Sequence, residues 1–242
     1  EAIDTIREHS DNYGGIKYEE VYFKSIHESR NSDGSLYVGE TNGGTYGQPH
    51  GYGTLTAVDG TIRYKGQYKN GKFHGKGFNH YLGKLDKEKQ DSYSYDGDYI
   101  DGKRHGYGTY KFYRKSISEN KEGITHETKL RVTREGEWQD GEFIKGVAYF
   151  SDGSKYEGNF HAYLLHGKGI FIDAKGASYE GFYKNGERHG DGVEWNSKGD
   201  KFAVKYKNNK QIKCEPLDQM SDLKKWVLGG GVFFLLMWLL DQ

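Results

Sequence analysis

The sequence lacks the features of a secreted, disulfide-stabilised domain. It has a single cysteine, Cys214, among 242 residues, so an intramolecular disulfide framework is excluded. No asparagine is followed two residues later by serine or threonine, so the chain offers no acceptor for N-glycosylation. Both absences favour a location on the reducing side of a membrane.

An excess of either charge and a large hydrophobic content are also missing. Basic residues number 35 and acidic residues number 35, so the chain lacks the basic excess expected of a nucleic-acid-binding platform. Hydrophobic residues make up only 34% of the chain, which is too little for a thick two-layer core. Aromatic residues make up 15%, and glycine (36) and tyrosine (21) are abundant. This composition predicts one repeat domain that buries aromatic side chains along its length.

A repeated phrase organises the chain. Residues 64–77 recur in close copies at 95–108, 156–169 and 179–192. Each copy has two aromatic residues flanking a glycine, then a turn glycine and a His-Gly-x-Gly sequence, except that Tyr163 replaces the turn glycine of the third copy. The repeat residues are Tyr64, Gly66, Tyr68, Gly71, His74, Gly75, Gly77, Tyr95, Gly97, Tyr99, Gly102, His105, Gly106, Gly108, Tyr156, Gly158, Phe160, His166, Gly167, Gly169, Tyr179, Gly181, Tyr183, Gly186, His189, Gly190 and Gly192.

The spacing within each copy predicts a β-hairpin. The aromatic-x-Gly-x-aromatic pattern places the two aromatic residues and the glycine on one face of an extended strand. Asn70-Gly71 then favours a tight turn, because both residues tolerate positive φ. On the returning strand Gly75 and Gly77 are expected to share a face, which leaves a trough for an aromatic ring. Successive hairpins therefore predict a long antiparallel meander.

The phrase Y-x-G-x-[aromatic]-x-x-G-x-x-H-G-x-G resembles the MORN repeat. The resemblance covers roughly residues 37–210, with partial copies starting near residues 37, 134 and 202. It implies an all-β fold, a single-layer twisted antiparallel meander rolled into a trough and used as a scaffold. We assign residues 18–210 to this sheet and residues 1–17 to a polar extension. The charged insertions 81–94 and 111–133 are predicted to be solvated loops.

A second feature is an uncharged run at residues 226–240. As a helix it would reach about 22 Å, short of a hydrocarbon core of about 30 Å. Tryptophans near both ends and lysines before it nevertheless favour a transmembrane tail anchor, with burial in a protein partner as the alternative. The membrane residues are predicted to be Lys224, Lys225, Trp226, Gly229, Gly230, Gly231, Phe233, Phe234 and Trp238. Residues 211–225 are expected to be a linker that contains, after Pro216, the start of an interfacial helix.

The flanking charges predict an orientation. Lysines lie only on the N-terminal side of the run, so the repeat domain is expected on the cytosolic or matrix-like side. The sequence begins with Glu1, which indicates either a removed presequence or a shortened sequence. Without sequons or disulfides, a mitochondrial presequence fits better than a secretory one. This favours the mitochondrial inner membrane.

The candidate chemical motifs are better explained by the repeat. His50 and the four repeat histidines each occupy the same slot of their own copy, without the close spacing of a zinc site. The segment 96–107 faintly resembles a calcium loop but ends in Tyr107 rather than glutamate. Gly75-Lys76-Gly77 lacks the strand-to-helix context that holds a phosphate. We therefore predict a protein that is not an enzyme and has no cofactor or metal.

Two functions remain open at this stage. The first is a membrane-anchored structural or accessory subunit whose sheet and loops hold the other protein subunits of a membrane complex. The second is a lipid-binding tether that recognises anionic headgroups through a lysine-rich exit, worth about 1 kcal/mol per basic residue. That exit comprises Lys201, Lys205, Lys207, Lys210, Lys213, Lys224 and Lys225. A weaker third option is an accessory domain that positions an enzyme.

Overall fold

The computed structural model describes residues 9–10, 16–17, 26–43, 47–83, 89–120 and 123–217. Within these ranges we find no helix long and apolar enough to cross a membrane. The predicted membrane segment lies outside the described residues. The strands are β1 (His9–Ser10), β2 (Ile16–Lys17), β3 (Ile26–Arg30), β4 (Leu36–Thr41), β5 (Pro49–Thr56), β6 (Ile62–Lys69), β7 (Lys72–Leu82), β8 (Lys89–Ile100), β9 (Lys103–Asn120), β10 (Gly123–Gln139), β11 (Glu142–Phe150), β12 (Lys155–His161), β13 (Leu164–Ile172), β14 (Ser178–Lys184), β15 (Glu187–Trp195), β16 (Lys201–Lys207) and β17 (Lys210–Pro216).

Strands β3 to β17 form one open antiparallel sheet in which spatial order follows chain order. The predicted antiparallel meander is therefore confirmed. A separate short pair joins β1 to β2. The sheet continues through β17 to Pro216, so it extends into residues that we expected to be a linker. The partial copy at 202 explains this, because its Tyr206 packs edge-on against Tyr179 at 5.4 Å and extends the aromatic series by one hairpin.

The hairpin turns use two consecutive residues in the left-handed region. Asn70 and Gly71 have φ values of 50° and 78°, the pair of positive angles that a type I′ turn requires. The Gly71 amide also donates to the carbonyl of Pro49 at 2.8 Å, in the preceding copy. The amide of the second turn residue makes the corresponding bond in the turns at Gly102, Gly141, Gly186 and Asn209. Each of these five turns therefore attaches its hairpin to the one before it.

A row of glycines crosses the sheet. In the strand register each of these glycines lies opposite the next, from β4 through β15. The row consists of Gly39, Gly53, Gly66, Gly77, Gly97, Gly108, Gly136, Gly146, Gly158, Gly169, Gly181 and Gly192. It ends at Val204 on β16. We call this set the glycine row.

The first tyrosine of each close copy lies over the glycine row. The Tyr64 ring covers Gly77, and its hydroxyl donates to the carbonyl of Gln67 at 2.8 Å. Tyr64 also packs edge-on against Tyr68 at 4.9 Å and against Tyr99 of the next copy at 5.5 Å. Such edge-to-face pairs contribute about 0.5–1.5 kcal/mol each. Because the pattern repeats from Tyr37 to Tyr206, the rings form a continuous ladder; we call this side of the sheet the ladder face.

The two glycines of His-Gly-x-Gly do not share a face, contrary to our expectation. Gly66 pairs with Gly77 and Tyr68 pairs with Phe73, so the returning strand contains a bulge between these pairs. Gly75 lies in the bulge with φ of +58°, and a side chain there would meet Gln67 on the opposite face. The first glycine therefore permits the bulge, whereas the second leaves space for the tyrosine ring.

Most of the two insertions is strand, not the solvated loop predicted from their charge. Strands β8, β9 and β10 continue past the repeat and pair with one another through residues such as Tyr93 and Phe112. Tyr81 stacks on Tyr93 at 5.0 Å, which extends the ladder onto the insertion. Arg114 also pairs with Asp91 at 2.7 Å. Cross-strand pairs of this kind stabilise the extension.

The glycine row predicts a strong effect of adding a side chain. In Gly97→Val the new Cβ would lie 2.6 Å from the Cα of Gly108 and 2.6 Å from the Tyr95 hydroxyl. We expect a loss of at least about 1–3 kcal/mol in the free energy of unfolding, because the strand and the ring must separate. Chemical denaturation of the full chain measures this loss. Asp96→Val, on the adjacent exposed position, is the control; equal stability of the two variants would contradict the packing.

The tyrosine ladder predicts alkaline unfolding. Burial raises the pKa of Tyr37 to about 12 and raises the pKa of Tyr64 and Tyr179 further, from an ordinary value of about 10. The unfolded chain loses these protons near pH 10, so this contribution to stability is complete below about pH 10 and falls as the pH rises. We expect phenolate absorbance from the ladder to rise together with loss of strand circular dichroism. Full ionisation of the tyrosines with an unchanged strand signal would contradict this.

Candidate functional site

The main departures from the repeat lie together on the ladder face. Arg104 and Tyr110 lie on β9, Arg134 and Trp138 lie on β10, and Tyr163 lies in the turn between β12 and β13. We call these five residues the arginine cluster. Arg134 and Tyr163 stand in slots that other copies fill with tyrosine and glycine. The slot of Arg104 holds arginine again in the copy at 179, so it is the combination of the five residues that is specific to this part of the sheet.

Arg104 occupies the slot that Phe73 fills in the copy at 64. Phe73 stacks on Tyr64 with a ring separation of 3.7 Å. The Arg104 guanidinium lies instead 4.5 Å from the Trp138 ring centre and 5.4 Å from that of Tyr110. Its Nη2 donates to the Tyr163 hydroxyl at 2.7 Å and to the Gly141 carbonyl at 3.2 Å. These contacts fix the orientation of the guanidinium above the rings.

Arg134 occupies the slot of the first tyrosine in the partial copy at 134. Its guanidinium lies 5.3 Å from the Tyr163 ring centre and 5.9 Å from that of Tyr110. The Nε atom is buried and has no hydrogen-bond partner in the described part of the chain. Burial lowers the pKa of Arg134, and the positive charge of Arg104 acts in the same direction. A second cation is therefore held beside the first in a partly desolvated position.

Tyr163 connects the two arginines. It occupies the turn-glycine slot with φ of +62°, a conformation that is unusual for a bulky residue. The side chain reaches back from the turn, so that its hydroxyl accepts a hydrogen bond from Arg104 and its ring lies under Arg134. Trp138, which is 2% exposed, donates to the carbonyl of Gly108 at 3.2 Å. The strained turn thus completes the aromatic wall of the cluster.

The copy at 179 provides a direct comparison. Its Arg188 occupies the same slot as Arg104 and lies 4.9 Å from the Tyr179 ring centre. Arg188 also pairs with Glu194 at 2.6 Å, and Glu194 accepts a hydrogen bond from Tyr206 at 2.7 Å. The slot of Glu194 corresponds to Tyr110 in the copy at 95. The chain therefore neutralises one of these two arginines with an acidic residue, whereas the other has an aromatic residue in that position.

The opposite side of the sheet carries exposed aromatic and aliphatic side chains. Val38, Tyr52, Phe78 and Tyr107 lie on strands β4 to β9 and are 39%, 57%, 38% and 61% exposed. Charged pairs lie among them, such as Lys76 with Asp98 at 2.8 Å. We call the side of the sheet that carries these four residues the open face. Exposed apolar side chains with a polar surround are typical of interaction surfaces.

The structure places each predicted repeat residue at the equivalent position of its own hairpin. The repeat tyrosines and the second glycine of each His-Gly-x-Gly lie on the ladder face, and the first glycine of each His-Gly-x-Gly lies in the bulge. The Nδ1 atoms of His74, His166 and His189 are buried without a hydrogen-bond partner in the described residues, although His74 Nδ1 lies 4.0 Å from Asp101 Oδ1. The same residues contain no group of three or more potential metal ligands. The predicted membrane residues from Lys224 to Trp238 lie outside the described part of the chain.

Sequence reasoning did not identify the arginine pair. The available signal was substitution at repeat slots, with Arg134 in place of a tyrosine and Tyr163 in place of a glycine. Gly146 was also missed, because the partial copy has a shorter bulge and reaches its final glycine one residue early. Only the strand register aligns that glycine with the others.

Comparison with known proteins agrees with the hairpin architecture. A family model described as the MORN repeat matches residues 45–62, 64–78, 95–116, 156–178 and 179–201. A search of curated proteins found no sequence similar to this chain. The matched segments cover hairpins of the sheet between β5 and β15, whereas β10 and β11 lie outside them. This chain therefore contains MORN repeats.

Proposed function

We propose that the protein is a non-enzymatic scaffold that is anchored to a membrane and holds the other subunits of a membrane protein complex. The observation that carries the proposal is the open, single sheet with exposed Tyr52, Phe78 and Tyr107 on one face. MORN repeats are commonly protein- or lipid-binding scaffold modules, which agrees with this role. Tyrosine and phenylalanine are enriched in protein interfaces, so the open face is the surface that we assign to the partners.

The anchor in this proposal is the uncharged run 226–240, which the sequence alone supports. Its nine valine, leucine and phenylalanine residues favour insertion by roughly 4 kcal/mol before the glycines are considered. Lys224 and Lys225 precede the run and would keep the sheet on the cytosolic or matrix-like side. Among organelle membranes, we propose the mitochondrial inner membrane.

Lipid recognition is the second candidate. Seven lysines precede the tail, but Lys205 pairs with Asp191 at 3.2 Å and Lys213 with Glu215 at 3.0 Å. These carboxylates would compete with lipid headgroups for the same cations. We therefore favour protein partners. Flotation of residues 1–216 with anionic vesicles distinguishes the candidates, because salt-sensitive binding without the tail would favour the lipid tether.

The scaffold proposal predicts that exposed aromatic residues are needed for assembly. In a double variant, Phe78→Ser with Tyr107→Ser, we expect the subunits that co-purify with the wild-type chain in mild detergent to be lost. The free energy of unfolding should change by less than about 1 kcal/mol, because both side chains are exposed. Ile212→Ser, which alters an exposed residue on β17, is the control. Recovery of the wild-type chain without any stoichiometric subunit would contradict the scaffold role.

The anchor predicts resistance to alkaline extraction. The full chain should remain in the membrane pellet after carbonate treatment, because its apolar run is inserted in the bilayer. Phe233→Asp with Leu236→Asp should release it, since each buried carboxylate costs about 2.5–3.5 kcal/mol at the centre of a helix. Ile212→Asp is the matched control and should stay in the pellet. Release of the wild-type chain would contradict the anchor.

A further inference from the structure

We propose that the arginine cluster binds a phosphate dianion between the guanidinium groups of Arg104 and Arg134. This site is additional to the scaffold function and does not depend on it. The proposal rests on the position of the two cations, on the donors that they leave free and on the neutralised equivalent at Arg188.

The two guanidinium groups share the same aromatic surroundings. Both lie over the Tyr110 ring, at 5.4 Å for Arg104 and 5.9 Å for Arg134. Both also contact Tyr163, through a hydrogen bond at 2.7 Å and through a ring contact at 5.3 Å. Like charges repel each other, and Arg104 is close enough for its charge to act on Arg134 in this sense. The aromatic rings compensate only part of that repulsion. An anion between them would stabilise both charges.

No acidic residue performs this role in the described part of the chain. Arg104 and Arg134 form no ion pair there, whereas Arg188 pairs with Glu194 at 2.6 Å. The residue equivalent to Glu194 is Tyr110, so the internal counter-ion of one copy is replaced in the other by a neutral ring. The sheet thus contains one arginine, Arg188, whose charge Glu194 neutralises, and one arginine pair that is open to an external anion.

The cluster also offers unused hydrogen-bond donors. Among the described residues Arg104 makes its two hydrogen bonds through Nη2, which leaves the Nη1 and Nε donors of its planar fork. Arg134 Nε has no partner among the described residues. Two planar guanidinium forks beside one another suit bidentate recognition of an oxyanion.

Charge balance favours phosphate over a carboxylate. A phosphate monoester or inorganic phosphate carries about −1.5 to −2 at pH 7, which matches two guanidinium charges. A carboxylate carries one charge and would leave the pair with a positive excess. The ligand class is therefore a phosphate dianion, either free in solution or presented as the phosphomonoester of a lipid.

The test is a calorimetric titration of the full-length chain with inorganic phosphate. We expect one phosphate per chain. Affinity should fall about ten- to hundredfold in Arg104→Gln and in Arg134→Gln, because each variant loses a charge-assisted contact with the phosphate. Arg188→Gln is the matched control and should retain wild-type affinity, because its partner is Glu194. Absence of phosphate binding, or equal loss in Arg188→Gln, would overturn the proposal.

A second measurement guards against variants that fold poorly. In the wild-type chain with ¹⁵N-labelled arginine, phosphate should shift the Nε–Hε resonance of Arg134 and leave that of Arg188 unchanged. Arg134→Lys, which keeps the charge, serves to assign the Arg134 signal. An unmoved Arg134 resonance at saturating phosphate would exclude binding at this site. Acetate that binds more tightly than phosphate would exclude the dianion class.

Vesicle experiments identify the source of the phosphate. Vesicles of phosphatidylcholine containing phosphatidic acid present a lipid phosphomonoester, whereas pure phosphatidylcholine vesicles do not. If the ligand is a lipid, wild-type binding to phosphatidic acid should exceed binding of Arg134→Gln, and free phosphate should compete. If the ligand is soluble, the wild-type chain and Arg134→Gln should bind these vesicles equally, while the phosphate titration still shows the site. Both results support the site, and loss of both forms of phosphate binding overturns it.

Discussion

The fit of a tyrosine ring onto a glycine determines the rest of this structure. In the register of the sheet each glycine of the row lies opposite another, which leaves a strip without side chains on the ladder face. The rings of Tyr64, Tyr95, Tyr156 and Tyr179 lie along that strip and bury completely, although the sheet has only one layer. A thin sheet can therefore hold a core, because its own side chains lie flat along it. Each ring contacts both its own hairpin and the next, so stability is transmitted between neighbouring copies.

This packing divides the two faces of the sheet by role. The ladder face is occupied by the tyrosines, so new chemistry can arise there only where a repeat slot is filled by a different residue. Arg104, Arg134 and Tyr163 are such replacements, and they lie together. The open face has no comparable role in packing, and its Tyr52 and Tyr107 are exposed and accessible to partners. Binding by the open face and binding by the arginine cluster are therefore separable properties of one sheet.

Much of this organisation was predictable from the sequence, and the exceptions have physical causes. Alternation and turn chemistry around Asn70-Gly71 predicted the hairpins and the antiparallel order. The role of Gly75 was not predictable, because a bulge breaks the alternation on which the prediction rested. The insertions were interpreted as loops from their charge, although pairs such as Tyr81 with Tyr93 hold them as strands. The arginine cluster required the structure, since its residues are up to 59 positions apart and meet only through the turn at Tyr163.

The most direct test of the account is a measurement of the Hα chemical shifts of the row glycines by nuclear magnetic resonance. A tyrosine ring stacked on Gly77, Gly108, Gly169 or Gly192 should displace these resonances strongly upfield through its ring current. The turn glycines Gly102 and Gly176, which have no atom near the space of a side chain, should show ordinary shifts. Upfield shifts confined to the row would confirm the packing of rings on glycines. Equal shifts in the two groups would contradict it.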